Sequence, residues 1–308
     1  NYRKSLSIRE TLSEREPTNR VIRRDVAQSY QRIGIAMLAI SDSNAPLDGT
    51  PIPPEDFRQI IESHNKSLAL RETLLASEPL SAQARRDLAD EYVMRGDAQV
   101  RGGDFAGALK GYQQSLPILE SLLTADPTNA EARSELAFAY LSISVPLEKL
   151  NDEAGALENY RRSLRIFDAM FKDDPSNEEN WKNLISGYTK ISVLLAVRGH
   201  AGEVLSEARR TLSLIESRPI ADSSSPEIDT YMAHQYEYIG DNYSAIALHG
   251  KISSTKREED LRVALMWYQK SLNILLDMKS RGTLSSADAG EPDEVSREIA
   301  KCDAALSK

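Results

Sequence analysis

The sequence predicts an all-α solenoid of antiparallel helix pairs, and three recurrences in its 308 residues predict it. Tyr30, Tyr92, Tyr140, Tyr188 and Tyr236 stand 62, 48, 48 and 48 residues apart. Each follows a hydroxyl residue by 25 positions, namely Ser5, Ser67, Ser115, Ser163 or Thr211. Pro17, Pro79, Pro127 and Pro175 each lie 12 residues beyond that hydroxyl ladder. A unit copied along a chain cannot bury its apolar side alone, so copies stack and present long surfaces.

The second helix of each unit, helix B, carries the hydroxyl ladder. Ile60, Ala108, Ala156, Val204 and Ala264 precede the ladder by seven residues, Leu68, Leu116, Leu164, Leu212 and Leu272 follow it by one, and Leu70, Ile118 and Ile166 by three. These spacings place one apolar stripe on a helix. The recurring proline ends it, because the residue before a proline avoids helical geometry. The first helix, helix A, opens at sequences such as Pro127-Thr128-Asn129 and Pro175-Ser176-Asn177, whose side chains can cap free amides. It then carries the tyrosine, followed four residues on by Gly34, Gly96, Ser144, Ser192 or Gly240. Three glycines in one helical column imply close approach of a neighbouring helix, which offsets about 1 kcal/mol of lost propensity each.

In order, residues 1–15 read as helix B of a truncated unit, and pairs follow at 18–77, 80–125, 128–173, 176–217 and 226–281. A last helix, 291–307, bears Val295, Ile299, Cys302 and Leu306 on one side and reads as a cap. Two insertions, 41–56 and 251–260, fall between helix A and helix B of their units and read as surface decoration of one rim. Arg218-Pro219 and the run Asp222 to Pro226 predict a mobile break near Ser223.

These columns resemble the tetratricopeptide repeat (TPR), which places Trp, Leu, a small residue and Tyr on helix A, Ala and an aromatic on helix B, and a closing Pro. Trp181, Leu184 and Tyr188 supply the first set in one unit, and Ala156, Tyr160, Ser163 and Pro175 the second in another. The family period is about 34 residues, and the step here is 48. Measured against that spacing, seven extra residues fall between Tyr140 and Ala156 and seven between Ser163 and Pro175. Seven residues are close to two turns, so both helices lengthen to about 20 residues without rotating their faces.

The resemblance implies a right-handed superhelical solenoid whose inner surface is lined by helix A. The positions it carries over as a partner-binding groove are Arg24, Gln28, Gln31, Arg32, Arg86, Asp90, Val93, Met94, Phe138, Lys182, Lys190, His234 and Glu237. Basic residues lead in the early units, which would suit a protein or peptide with acidic character there. The carboxylate clamp of some family members needs Lys and Asn one turn apart. Arg24/Gln28, Arg86/Asp90, Ser134/Phe138 and Lys182/Ser186 do not reproduce it.

No catalytic constellation is visible. His64, His200, His234 and His249 have no Cys, Asp or His close by at metal-ligand spacing, and no metal or cofactor is expected. Ser63-His64-Asn65-Lys66 matches a serine-lysine pattern by chance, and Arg101-Gly102-Gly103-Asp104 reads as a helix A to helix B turn. The lone Cys302 allows no internal disulfide. With 38 basic against 47 acidic residues and no basic block, nucleic acid is not an expected partner. No apolar run crosses a membrane.

The chain is therefore expected to be a non-catalytic interaction or scaffolding region, with self-association open to it. The alternative is a ligand- or peptide-sensing receptor region that regulates an attached catalytic domain. Motifs such as Tyr2-Arg3-Lys4-Ser5-Leu6-Ser7 and Ala84-Arg85-Arg86-Asp87-Leu88-Ala89 resemble the repeat regions appended to bacterial serine/threonine kinases. That resemblance implies a larger signalling protein with a kinase upstream of Asn1. The expected compartment is the cytoplasm, or an extracytoplasmic space if a membrane span precedes Asn1.

Overall fold

The computed structural model describes residues 2–44, 51–197, 200–216, 226–250 and 252–307. Among them the regular structure is α-helical: α1 (Tyr2–Arg15), α2 (Arg20–Asn44), α3 (Pro54–Ser77), α4 (Ala82–Arg101), α5 (Phe105–Ala125), α6 (Ala130–Lys149), α7 (Glu153–Asp173), α8 (Glu178–Val197), α9 (Ala201–Glu216), α10 (Pro226–His249), α11 (Ser254–Arg281) and α12 (Glu291–Leu306). They form two compact units, Asn1–Ser176 with α1 to α7 and Asn177–Lys308 with α8 to α12. The predicted break near Ser223 lies outside the described residues.

Helix starts follow the capping logic of the sequence. Asn129 Oδ1 accepts from the Ala132 amide at 2.9 Å, Asn177 Oδ1 from Asn180 at 3.0 Å, and Asp152 Oδ1 from Gly155 at 2.9 Å. The Arg101 to Asp104 segment is a tight turn from α4 into α5. Gly103 there has φ 79°, a conformation that glycine adopts without strain, and Asn151, one repeat later, has φ 62°.

The hydroxyl ladder is core: Ser67, Ser115, Ser163, Thr211 and Ser271 are buried. So are Tyr92, Tyr140 and Tyr236, whereas Tyr30 and Tyr188 are half-buried. Each column tyrosine of the first unit sends its hydroxyl to a glutamate 20 residues earlier: Tyr30 to Glu10, Tyr92 to Glu72 at 3.1 Å, and Tyr140 to Glu120 at 3.2 Å. Lys66 lies over the Tyr30 ring at 5.5 Å, and Arg162 over Tyr140 at 5.6 Å. The column tyrosines thus tie the preceding helix B to the following one.

The small-residue column closes each pair as expected. A Cβ at Gly96 would sit 2.5 Å from the Tyr112 ring, one at Gly34 2.6 Å from His64, and one at Gly240 2.8 Å from Tyr268. Cys302 is buried on α12, with its Sγ 3.7 Å from Ser244 Oγ.

Helices take up the ends of the first insertion, at 41–44 and 54–56, and most of the second. Residues 41–44 extend α2, and α11 begins at Ser254, so most of 251–260 is helix; Arg257 Nε donates to the Ala247 carbonyl at 3.0 Å. Beyond the undescribed 45–50, Ile52 returns to the core with Ile60 and Ala98, and its amide donates to the Arg101 carbonyl at 3.2 Å. A buried apolar anchor and a backbone hydrogen bond hold this segment against its unit.

Candidate protein-interaction face

In the first unit, α2, α4 and α6 are the helix A elements. Ala27, Ala89 and Ala137 point into the core at 1%, 1% and 0% exposure. The residue after each, Gln28, Asp90 or Phe138, is exposed. These three share one register in three successive copies and differ in chemistry. Phe138 keeps one edge on the buried Phe167 ring, with centroids 5.2 Å apart, and leaves the rest to solvent.

Neighbouring helix A elements consume most of the predicted positive charge. Arg24 Nε lies 3.2 Å from Asp87, and Arg86 reaches Glu131 at 2.7 Å and Glu135 at 3.4 Å. The basic lead of the early units is therefore largely neutralised within the face. Arg32 is exposed and has no ion pair among the described residues. Asp90 accepts from Gln31 Nε2 at 2.6 Å. It is open to water on one side, yet the protein mass around it raises its carboxyl above the usual range despite Gln31 and Arg71. Burial likewise pushes Glu135 up to about 7, against the attraction of Arg86 and with the repulsion of Glu131 and Asp90.

Behind this face runs a polar chain. Gln31 Oε1 accepts from Arg71 at 2.9 Å, Arg71 Nε lies 3.3 Å from Glu91, and Glu91 accepts from Ser67 at 2.5 Å and lies 2.8 Å from His64 Nδ1. His64, Ser67 and Glu91 are fully enclosed. The same columns hold Leu119, Phe167 and Leu275 in place of Arg71, and Ala139 and Gly187 in place of Glu91. Arg9 with Ser29 and Gln235 are the other polar members of these columns, and a charge in both columns of a single unit was the sequence signal for this network. Only the fold shows that the two columns meet.

In the second unit Lys182 pairs with Glu178 at 2.6 Å, and Lys190 is exposed. α8 and α10 are joined by Thr189 donating to Gln235 at 2.8 Å and by the Tyr231 hydroxyl donating to the Lys182 carbonyl at 3.0 Å. His234 Nε2 lies 2.7 Å from Glu291, so α12 occupies that predicted groove position. Glu237 beside it is half-buried and pushed up to about 7 by burial, with Asp241 and Glu291 adding to the effect.

No protein-family model matches the sequence, and no curated protein matches it. The structure is similar to that of BtubC (BKLC) from P. vanneervenii, with a TM-score of 0.59 at 13% identity over 90% of this chain and 89% of that one. It is also similar to the STAND protein PH0952 with a tetratricopeptide repeat sensor from Pyrococcus horikoshii, at TM-score 0.49 and 11% identity, over 92% of this chain and 38% of that one. At 13% identity the likeness to BtubC speaks to fold alone and not to the 48-residue step. Trp181 and Leu184 on α8, and Ala156, Tyr160 and Ser163 on α7, are all buried where the repeat pattern places them. The chain is a TPR-like helical repeat.

This TPR-like repeat has one group of described side chains close enough to hold a metal, His234, Asp288 and Glu291. His234 is already paired with Glu291, and Asp288 accepts from Ser285 Oγ at 2.7 Å, so the protein itself satisfies these atoms. No described helix is long and apolar enough to cross a membrane.

Proposed function

We propose that this chain is a non-catalytic protein-interaction region that holds a protein or peptide segment along the helix A face of its first unit, within a larger signalling protein. The observation that carries the reading is the alternation of invariant core and variable surface at Ala27/Gln28, Ala89/Asp90 and Ala137/Phe138. Selection for packing alone explains the alanines, whereas an exposed column that changes from amide to carboxylate to aromatic is what reading a particular sequence requires. Arg32 offers an unspent positive charge and Phe138 an aromatic anchor, so the matching segment carries a carboxylate near one and an apolar side chain near the other.

A photo-crosslinking residue in place of Gln28 would capture the partner. Arg32→Glu and Phe138→Ala should each weaken its binding by about tenfold. A partner captured equally well by the double variant would rule out this face. A small ligand that raises the melting temperature and compacts the chain in solution scattering would instead favour the receptor reading.

A further inference from the structure

We propose that Gln31, Arg71 and Glu91 hold Asp90 in place on the helix A face as the receptor for a lysine or arginine side chain of the bound segment. The inference rests on that face being the binding face, and it names what the face reads. Asp90 Oδ2 accepts from Gln31 Nε2 at 2.6 Å, Gln31 Oε1 accepts from Arg71 Nη2 at 2.9 Å, and Arg71 Nε lies 3.3 Å from Glu91. The three supporting side chains are 7%, 5% and 0% exposed, whereas Asp90 reaches water. A surface carboxylate is thus oriented from behind by side chains of α2, α3 and α4.

The next copy shows that this support and Asp90 belong together. There the registers of Gln31, Arg71, Asp90 and Glu91 hold Val93, Leu119, Phe138 and Ala139, so all four positions turn from polar to apolar at once. Leu119 and Ala139 close their interface within an apolar core. Since well-packed apolar residues replace a buried ion pair at little or no cost in stability, packing does not account for the polar set. Its effect on Asp90, the member that reaches solvent, does. Charge then selects the occupant. The arginines around Asp90 are committed, Arg24 to Asp87, Arg86 to Glu131 and Glu135, and Arg71 to Glu91. Asp90 has no ion pair among the described residues, and its Oδ1 takes no hydrogen bond from them. Burial holds its carboxyl above the usual range despite Gln31 and Arg71, with Glu91 and Asp87 adding to the rise. A basic side chain from outside supplies the missing counter-charge, and Phe138 in the same column receives an apolar residue beside it.

The test selects a random peptide library, displayed on phage, on the full chain, and titrates fluorescent versions of the enriched peptides by anisotropy. We expect them to carry Lys or Arg beside an apolar residue. Their affinity should fall about tenfold for Asp90→Asn, and by a similar factor for Gln31→Val/Arg71→Leu/Glu91→Ala, which adopts the residues of the next copy and should keep its helical circular dichroism. If that triple variant does not fold, Gln31→Val alone cuts the link between Arg71 and Asp90 and gives the same reading. Asp90→Lys should regain binding once the basic residue of the peptide is changed to Glu, a rescue that a merely structural role would not produce. Peptides that depend on Phe138 but carry no basic residue, or that bind Asp90→Asn unchanged, would overturn the inference and leave the binding face standing. Loss in Asp90→Asn without loss in the triple variant or Gln31→Val would overturn the positioning role. A library that yields no enriched peptide would overturn the binding face and this inference together.

Discussion

Arg71 Nε lies 3.3 Å from the Glu91 carboxylate within the first unit, with both side chains withdrawn from water. Removing one partner of a buried pair leaves an uncompensated charge, at a cost of about 3–5 kcal/mol. Arg71→Leu and Glu91→Ala should each reach that range. The double variant restores the Leu119/Ala139 combination of the next copy and should cost clearly less than the two singles summed. Urea unfolding of the four proteins measures this, and strict additivity would refute the coupling.

Close approach at the glycine column predicts a sharp contrast between sites. Gly96→Ala would force a methyl group to within 2.5 Å of the Tyr112 ring, and should destabilise by about 1–3 kcal/mol. Gly202 has nothing within 4 Å of the corresponding position, so Gly202→Ala should stay within about 0.5 kcal/mol of wild type. Equal effects in thermal unfolding would mean that the column does not set the helix separation.

Burial raises the Glu135 and Glu237 carboxyls to about 7 in the folded chain, from the ordinary 4.5 of a solvated glutamate. Between those two values the folded state holds protons that the unfolded state has released. Each group therefore favours folding least once pH passes 7, and stability falls as pH rises through that window. Glu135→Gln and Glu237→Gln should flatten this slope and melt higher than wild type at pH 8, with little difference at pH 4. Melting temperatures from pH 4 to 9 check it; a wild-type slope unchanged in both variants would contradict the assignment.

Phe138→Ala removes a half-packed ring whose centroid lies 5.2 Å from that of Phe167, and should cost about 1–2 kcal/mol. Arg32→Glu touches no described ion pair and should shift stability by about 0.5 kcal/mol or less. Partner binding lost in the Arg32 variant at wild-type melting temperature would then report on recognition rather than unfolding.

Much of the helix A to helix B architecture was legible in particular residues. Ala108, Ala156 and Ala264 could be assigned to the core from their column, and Asn129 to a cap from its place after Pro127. The glycines at 34, 96 and 240 announced close packing before any neighbour was known. Such features are local: they follow from helical periodicity, capping chemistry and backbone propensity, which act within a few turns. The insertion at 251–260 misled for the same reason. Prolines and charges mark a stretch as irregular, but the lengthening of α2 and α11 and the return of Ile52 to the core depend on surfaces far away in the chain.

The sequence by itself determined that this protein is a stack of helix pairs, which helix of each pair carries which column, and which faces are apolar. Tertiary structure alone decided how charges are spent. Arg24 and Arg86 pair with Asp87, Glu131 and Glu135 on the next helix A, His234 pairs with Glu291 of α12, and Arg71 finds Glu91 across the helix interface. Periodicity reports which side of a helix a residue occupies. Electrostatic pairing is settled over a few ångströms between chain-distant atoms, and no one-dimensional period encodes that distance.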